Sequence, residues 1–473
     1  MINESTYIDE GLEALREAEW VVSKIGGINA CDFQGNYQRI TAARAAGKKQ
    51  VVVLSVPRND DFNTTTHINR FVKLIKDGKH EEARTALEQI QSKLAGIITK
   101  NVEAEYHEPL LAVLARYLLQ LQGYLETGLN EHFEKQGQDL LVRVNGTIKT
   151  ITGWGEDLAE ELYLAYFNAK QNASARLSID RQEIYDHPDV LLDRYHNAIT
   201  NIMNQDLLLT GGYEAHLGKT RGYSDPKAAL ITESLAHHGA NVVLAVEKEQ
   251  GILTADPKVI SAARLVPRMS SKFAAEVFGL FGGEAGALHH LVIPTLNGSN
   301  AKIVVFNPAR PELGTTCIYR EAVMQPTTIV ARKTVPAIRV YGPMSNEKGI
   351  AEKVMRALRE HSLDQIYTAE NELRVTLSAT GGIEELSFDD QSIGAGYTHR
   401  IDPKEVVVCI STNDEIMRGN SVLKDNEVKV ESSSFVGEVG QDPNVNVSSY
   451  VLPIKQQSTA AVQHLHNAFS HAA

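Results

Sequence analysis

The run Val21-Val22-Ser23-Lys24-Ile25-Gly26-Gly27 limits the possible folds of this chain more than any other stretch. It reads as a short buried strand that ends beside a lysine on a glycine pair, so the backbone turns where the strand stops. Two readings of that turn stand side by side. It is an ordinary strand-to-turn glycine pair, or its backbone N–H groups and the Lys24 ammonium cradle an anion, because glycine lets a ligand approach the main chain closely. A helix is predicted next over 34–46, then a second buried strand over 50–55 that ends on the hydroxyl of Ser55. Strand, glycine turn, helix and strand in that order open a parallel sheet. Ligands gather at the carboxyl ends of such strands, where Gly26, Gly27 and Ser55 would all lie.

The rest of the chain extends the pattern. Residues 4–19 predict an amphipathic helix. Leu87, Ile90, Leu94 and Ile97, then Leu110, Val113, Leu114, Tyr117, Leu118 and Leu121, recur at helical spacing. They predict a helical insertion over 64–140 beside the sheet, its apolar stripes serving as core rather than as a partner groove. Strand character resumes over 140–144. Gly155-Glu156 precede a helix that runs to 170, and Glu156 is either an acid favoured by the helix dipole or a carboxylate offered to a substrate ammonium. A strand predicted over 175–185 carries Arg176 and Arg181. Each is a bidentate clamp for a carboxylate or one half of a surface salt bridge with Asp180 or Glu183.

The block 206–310 carries the most information. A strand over 207–210 ends in Thr210-Gly211-Gly212. The loop Gly218-Lys219-Thr220-Arg221-Gly222-Tyr223-Ser224-Asp225 opens a helix over 226–238, and a basic loop at a helix N-terminus suits an anion. A buried strand follows over 241–246, then a helix over 270–280, a glycine-rich turn over 282–286 and a closing strand over 301–306.

Composition excludes some classes. The net charge of −12, from 47 basic and 59 acidic residues, argues against nucleic-acid binding through a general positive field. An apolar content of 43% and a charged content of 22% are those of an ordinary globular protein. Cys31, Cys317 and Cys409 are widely separated with no CxxC pair, which points to a reduced cytosol. No long apolar run is present and residues 1–10 are polar and acidic, so neither a membrane span nor a secretory signal is expected. No HExxH or Cys/His cluster occurs, and the adjacent pairs His237-His238 and His289-His290 are expected to point apart. No metal held by protein ligands is predicted.

In order and spacing these pieces resemble the aspartate kinases, of the amino-acid kinase fold. That family opens with K-F-G-G-T-S, and this chain has Lys24-Ile25-Gly26-Gly27-Ile28-Asn29. The family's G-E pair is matched by Gly155-Glu156, its G-R-G-G-S-D by Thr220-Arg221-Gly222-Tyr223-Ser224-Asp225, and its G-x-Y-T-A-D-P-R by residues 251–258. Its V-L-H-P is matched by Ala287-Leu288-His289-His290, and the tract from Phe306 to Thr315 follows the family's N-x-x-x-P-x-x-x-G-T. Ala461-Val462-Gln463-His464-Leu465-His466-Asn467-Ala468-Phe469 resembles its ending. The similarity spans nearly the whole chain. Four places depart from it: Ile28-Asn29 stand for Thr-Ser, Glu247-Lys248 for Thr-Asp, Gly286 for a lysine, and Asp180-Arg181 are adjacent. The second and third, with Arg221-Gly222-Tyr223-Ser224, resemble the branch that accompanies ectoine biosynthesis.

The resemblance implies an α/β amino-acid kinase fold, a mainly parallel sheet sandwiched by helices, over 1–321. Two α+β ACT-like modules would follow in a regulatory region over 322–473, at about 330–395 and 400–473. In those modules strands are predicted over 337–341, 365–368, 373–377, 406–411, 427–431 and 448–452, with helices over 349–361 and 459–468. They imply pairing into a homodimer or a higher homo-oligomer, with or without an amino-acid effector. The implied reaction is ATP-dependent phosphorylation of the β-carboxylate of L-aspartate, with Mg2+ carried by the nucleotide. Lys24, Gly26, Gly27 and Asp225 would act on the transferring group. Ser55, Glu156, Arg181 (or Arg176), Arg221 and Ser224 would hold the substrate. Thr210, Gly222, Lys248, Asp256 and Lys258 would lie on the nucleotide side. Rival readings are a same-fold kinase for another acid, such as acetylglutamate, and a degenerate kinase kept as an amino-acid-binding regulatory subunit.

Overall fold

The computed structural model describes residues 4–127, 141–144, 147–151, 153–171, 174–177, 188–213, 224–285, 288–296, 298–320, 328–341, 363–369, 372–377, 398–411, 419–428, 430, 432–436, 446–452 and 456–469. The chain divides into two compact units, Met1–Gly251 with Leu291–Arg320, and Ile252–His290 with Glu321–Ala473.

The first unit begins α1 (Glu4–Glu17), β1 (Trp20–Ile25), α2 (Phe33–Ala45), β2 (Lys49–Leu54), α3 (Thr64–Lys76), α4 (His80–Asn101) and α5 (His107–Thr127). It continues β3 (Leu141–Val144), β4 (Thr147–Thr150), α6 (Trp154–Ala169), β5 (Ala175–Arg176), α7 (Pro188–Thr200), β6 (Leu207–Gly211), α8 (Ser224–His237) and β7 (Val242–Glu247). After β8 (Arg268–Ser270) and α9 (Ser271–Ala285) of the second unit, α10 (Val292–Leu296), β9 (Lys302–Phe306) and β10 (Thr316–Tyr319) complete it.

Its sheet runs β5-β6-β2-β1-β7-β9-β10. β1 pairs in parallel with β2 (Ile25 opposite Leu54) on one side and with β7 (Lys24 opposite Val246) on the other. Every residue of β6 and β7 is buried, as apolar strands covered on both faces must be. The chain travels outward from β1 through β2 to β6, then returns across α8 to β7 on the far side of β1. A crevice opens where the winding direction changes, at the carboxyl ends of β1 and its neighbours. The predicted insertion is helical: α3, α4 and α5 bury Phe71, Ile90, Leu94, Leu110, Leu114 and Leu121 in one core with Ile25, Val52, Leu54 and Leu209 of the sheet. Residues 128–140 lie outside the described residues. The strand over 140–144 gains an antiparallel partner, β4, that the sequence reading did not assign.

The second unit holds a six-stranded antiparallel sheet built from β11 (Thr328–Tyr341), β12 (Leu363–Ala369), β13 (Glu372–Leu377), β14 (Thr398–Ser411), β15 (Ser432–Val436) and β16 (Asn446–Leu452). Its order is β12-β13-β11-β14-β16-β15. The two ACT-like modules thus share one sheet, joined along β11 and β14 from Thr328 opposite Ser411 to Tyr341 opposite Thr398. The helices are α11 (Gly419–Asp425) and α12 (Gln456–Phe469). α12 buries Ala461, Val462, Leu465 and Phe469 with Val330, Leu423, Ala255 and Ile260. Through Ala255, Ile260 and a buried hydrogen bond between the Thr254 hydroxyl and His466 Nε2 (3.0 Å), residues 252–290 pack in this unit.

Two local expectations are corrected. Residues 282–285 are helix, not turn, because α9 runs to Ala285: two glycines cost a helix only about 1 kcal/mol each, less than the burial of Phe273, Ala274, Val277 and Phe278 contributes. The strand expected over 427–431 is displaced to 432–436. Glu427 sits at φ 59° and its amide donates to Lys424 O, while Val428 N donates to Leu423 O, so these residues close the C-terminus of α11. The helix expected over 349–361 lies outside the described residues.

Candidate active site

The carboxyl end of β1 delivers Lys24 and then Gly26-Gly27 into the crevice. The Lys24 ammonium meets an Asp225 oxygen at 2.8 Å, with side-chain exposures of 9% and 8%. Asp225 stands in the first turn of α8, a helix buried along nearly its whole length. A buried charge pair costs desolvation unless its geometry is good, so this pair fixes the lysine in one place. Gly27 admits no side chain: a Cβ there would lie 2.6 Å from Val56 O and 2.9 Å from Arg58 Cγ. Gly26 is less confined, its nearest neighbour being Glu247 O at 3.9 Å.

The end of β2 joins the same corner. Ser55 Oγ donates to Ser224 Oγ at 3.1 Å. Gly212 N donates to Leu54 O at 2.7 Å, and a Cβ on Gly212 would lie 2.5 Å from Ser224 Cβ, so glycine lets β2, β6 and α8 converge. The N-terminus of α6 is seated there as well. Gly155 faces Val56, and the Glu156 carbonyl lies 2.6 Å from where a Gly211 Cβ would be. Glu156 is therefore at the strand-to-helix corner that the sequence predicts.

Lys248 follows β7 directly. Burial, then the charges of Lys24 and Arg58, push its ammonium down to about 8 against the pull of Asp225. Its neighbour Glu247 faces the glycine loop from the other side. Asn29 Nδ2 donates to Glu247 Oε2 at 3.3 Å, Arg39 pairs with the same carboxylate at 3.3 Å, and Asn36 Nδ2 donates to Asn29 O at 2.8 Å. Burial raises the Glu247 carboxyl despite Arg39 and Asn29. Burial also pushes the Cys31 thiol, under the loop, up to about 11, so Cys31 is a packed thiol rather than a nucleophile.

The first unit thus brings together Lys24, Gly26, Gly27, Ser55, Glu156, Ser224, Asp225 and Lys248. Thr210 is fully buried within β6, its hydroxyl turned to Gly211 O at 3.4 Å. Asp256 and Lys258 are exposed residues of the second unit, where Asp256 Oδ1 accepts from Lys258 N at 2.9 Å. Arg181, Arg221 and Gly222 lie outside the described residues. Arg176 is half of an ion-paired cluster, with Glu160 at 2.5 Å and with Glu161; Asp180 and Glu183 lie outside the described residues. Asn36, Arg39 and Arg58 escaped the sequence reading, since a polar residue on a helix or loop carries no local sign of a partner strands away. The adjacent His289 and His290 do not point apart: their rings stack at 4.3 Å. Among the described residues no group of three or more His, Cys, Asp or Glu could hold a metal, and no helix is long and apolar enough to cross a membrane.

A model of the amino acid kinase family matches residues 19–307, more than half of the chain. Lysine-sensitive aspartokinase 3 of Escherichia coli (strain K12) is 26% identical over 383 residues, covering 77% of this chain and 79% of that protein. The crystal structure of E. coli aspartokinase III in complex with aspartate and ADP, an R-state, superposes with a TM-score of 0.69 at 20% identity, over 95% of this chain and 99% of that one. The T-state of that enzyme, in complex with lysine and aspartate, gives 0.65 at 19% identity over 96% and 100%.

Proposed function

The chain belongs to the amino acid kinase family, and on that premise we propose that it transfers the γ-phosphoryl group of ATP to the β-carboxylate of L-aspartate, giving 4-phospho-L-aspartate and ADP. The observation that carries this reading is the buried Lys24–Asp225 pair beside Gly26-Gly27 at the carboxyl ends of the central strands. The aspartokinases among its relatives support the choice of acid.

The chemistry asks little of the protein covalently. An oxygen of the substrate carboxylate attacks the γ-phosphorus, the bond from that phosphorus to the bridging oxygen breaks, and ADP leaves with the electron pair. No proton moves, so no general base is required. The protein aligns the two groups in line and offsets the charge that spreads over the phosphoryl oxygens. Asp225 holds Lys24 at one point, and Lys24 with the Gly26 and Gly27 amides faces that charge. Lys248 adds a second cation on the nucleotide side, and ATP enters as its magnesium complex. Glu156 takes the substrate ammonium, while Ser55 and Ser224 line its seat. Arg181 and Arg221 take its carboxylates, and Thr210, Gly222, Asp256 and Lys258 are assigned to the nucleotide. Within this reading residues 1–321 catalyse, and 322–473 form a regulatory region that pairs two chains into a homodimer and binds an amino-acid effector.

Trapping of the acyl phosphate by hydroxylamine tests the reaction. Purified chain with Mg-ATP and L-aspartate is expected to form aspartyl hydroxamate, and acetylglutamate is expected to form none. Hydroxamate from neither acid, in folded protein that still binds an amino acid, would turn the reading to a regulatory subunit.

A further inference from the structure

We propose that Arg58 is a third phosphate-holding cation of this site, reaching over Gly27 to the terminal phosphates of the bound nucleotide. The inference rests on the kinase reading and adds to it a residue outside the motifs that suggested it.

Arg58 stands four residues beyond the end of β2, and its backbone is tied to the glycine loop. Its amide donates to Gly27 O at 3.0 Å, and Cys31 Sγ donates to Arg58 O at 3.0 Å. The loop is anchored again next to it, where Thr64 Oγ1 donates to Pro57 O at 2.5 Å. The side chain then lies along Gly27, with Cγ and Cδ at 2.9 and 3.3 Å from where a Cβ of Gly27 would be. Gly27 therefore leaves room for the stem of Arg58.

The charges around the guanidinium are lopsided. Asp60 and Asp61 are close in sequence, yet Arg58 makes no ion pair or side-chain hydrogen bond with them or with any other described residue. Its charge acts instead on Lys248, which has Lys24 beside it. The Lys248 ammonium likewise makes no hydrogen bond or ion pair to a described residue. Of the acids nearby, Asp225 is engaged by Lys24 at 2.8 Å. Lys24 and Arg58 both act on Lys248 as like charges, and like charges at close range repel each other less when a polyanion enters between them. A planar guanidinium fork matches two phosphoryl oxygens, which a second lysine would not. Arg58 is exposed, Lys248 partly buried and Lys24 buried, so of the three cations Arg58 is the most accessible from solvent.

Mg-ADP binding by calorimetry to the full chain tests this, with Arg58→Ala and Arg58→Lys beside the parent. Arg58→Ala is expected to weaken Mg-ADP about ten- to a hundredfold and to erode the preference for ADP over AMP. The aspartate KM and the thermal midpoint should stay where they were, and Arg58→Lys should recover part of the loss. The alkaline fall in Mg-ADP affinity, set by loss of the Lys248 proton near 8, should move to higher pH in Arg58→Ala, because one of the two charges that depress Lys248 is gone. Unchanged Mg-ADP affinity and kcat in Arg58→Ala, or a loss confined to the aspartate KM, overturns the assignment. Parent protein that binds Mg-ADP but forms no aspartyl hydroxamate would defeat the kinase reading alone and leave the Arg58 comparison valid. Parent protein that binds no Mg-ADP would defeat both.

Discussion

Asn29 on the glycine loop donates to Glu247 at the end of β7, 3.3 Å apart and 218 positions distant in sequence. Each residue departs from the pattern of the aspartate kinases, and the two departures meet in space. Arg39 closes the cluster from α2, pairing with Glu247 and donating to the side-chain oxygen Oδ1 of Asn36. The altered loop is held by a polar network that binds β7, α2 and the glycine turn together.

The burial of Glu247 within that network makes stability depend on pH. Burial raises its carboxyl above the ordinary 4.5. The folded chain therefore keeps this proton where the unfolded chain has lost it, and the associated stabilisation is complete below about 4.5 and lost as pH rises through the raised value. Glu247→Gln removes the titration. Denaturant unfolding from pH 4 to pH 8 should show the parent losing stability relative to the variant as pH rises. Parallel curves across that range would mean that Glu247 does not carry the effect.

Lys24→Ala removes one half of a buried pair and takes away the cation that Asp225 meets at 2.8 Å. A stability loss of about 3–5 kcal/mol is expected. In protein kept folded at low temperature, kcat should fall about a hundredfold or more with a much smaller change in the aspartate KM. Turnover that survives the substitution would take Lys24 out of the mechanism.

The two glycines of the loop should behave differently. A methyl group at Gly27 runs into Val56 O and the stem of Arg58, whereas at Gly26 it meets only ordinary contact with Glu247 O. Gly27→Ala is expected to raise the Mg-ADP dissociation constant at least tenfold, and Gly26→Ala about twofold or less. Equal losses in the same titration would show that backbone freedom, not space, governs the loop.

Arg176 serves architecture. Its 44% exposed side chain pairs with Glu160 and Glu161, while Glu160 also accepts from Gly211 N at 2.6 Å at the end of β6. Arg176→Ala should cost about 1 kcal/mol, the partial exposure keeping the figure small, and should leave the aspartate KM unchanged. A large rise in that KM in the hydroxamate assay would return Arg176 to the substrate.

The parallel frame and the ends of its strands were legible in the amino-acid order. Apolar runs such as 50–54 and 242–246 are local, and burial on both faces follows from their composition. The glycine pair after Lys24 and the acid at the start of α8 were legible for the same reason: each is a short-range signal at a strand or helix end. Which polar groups face each other follows from the folded arrangement alone. That Asn29 meets Glu247, that Arg176 turns to Glu160, and that Arg58 lies over Gly27 all depend on the order of strands in the sheet. Hydrophobic periodicity sets which face of an element is buried, but it carries no information about the neighbour across it. Polar partners far apart in the chain are fixed only once the core has set β1 between β2 and β7.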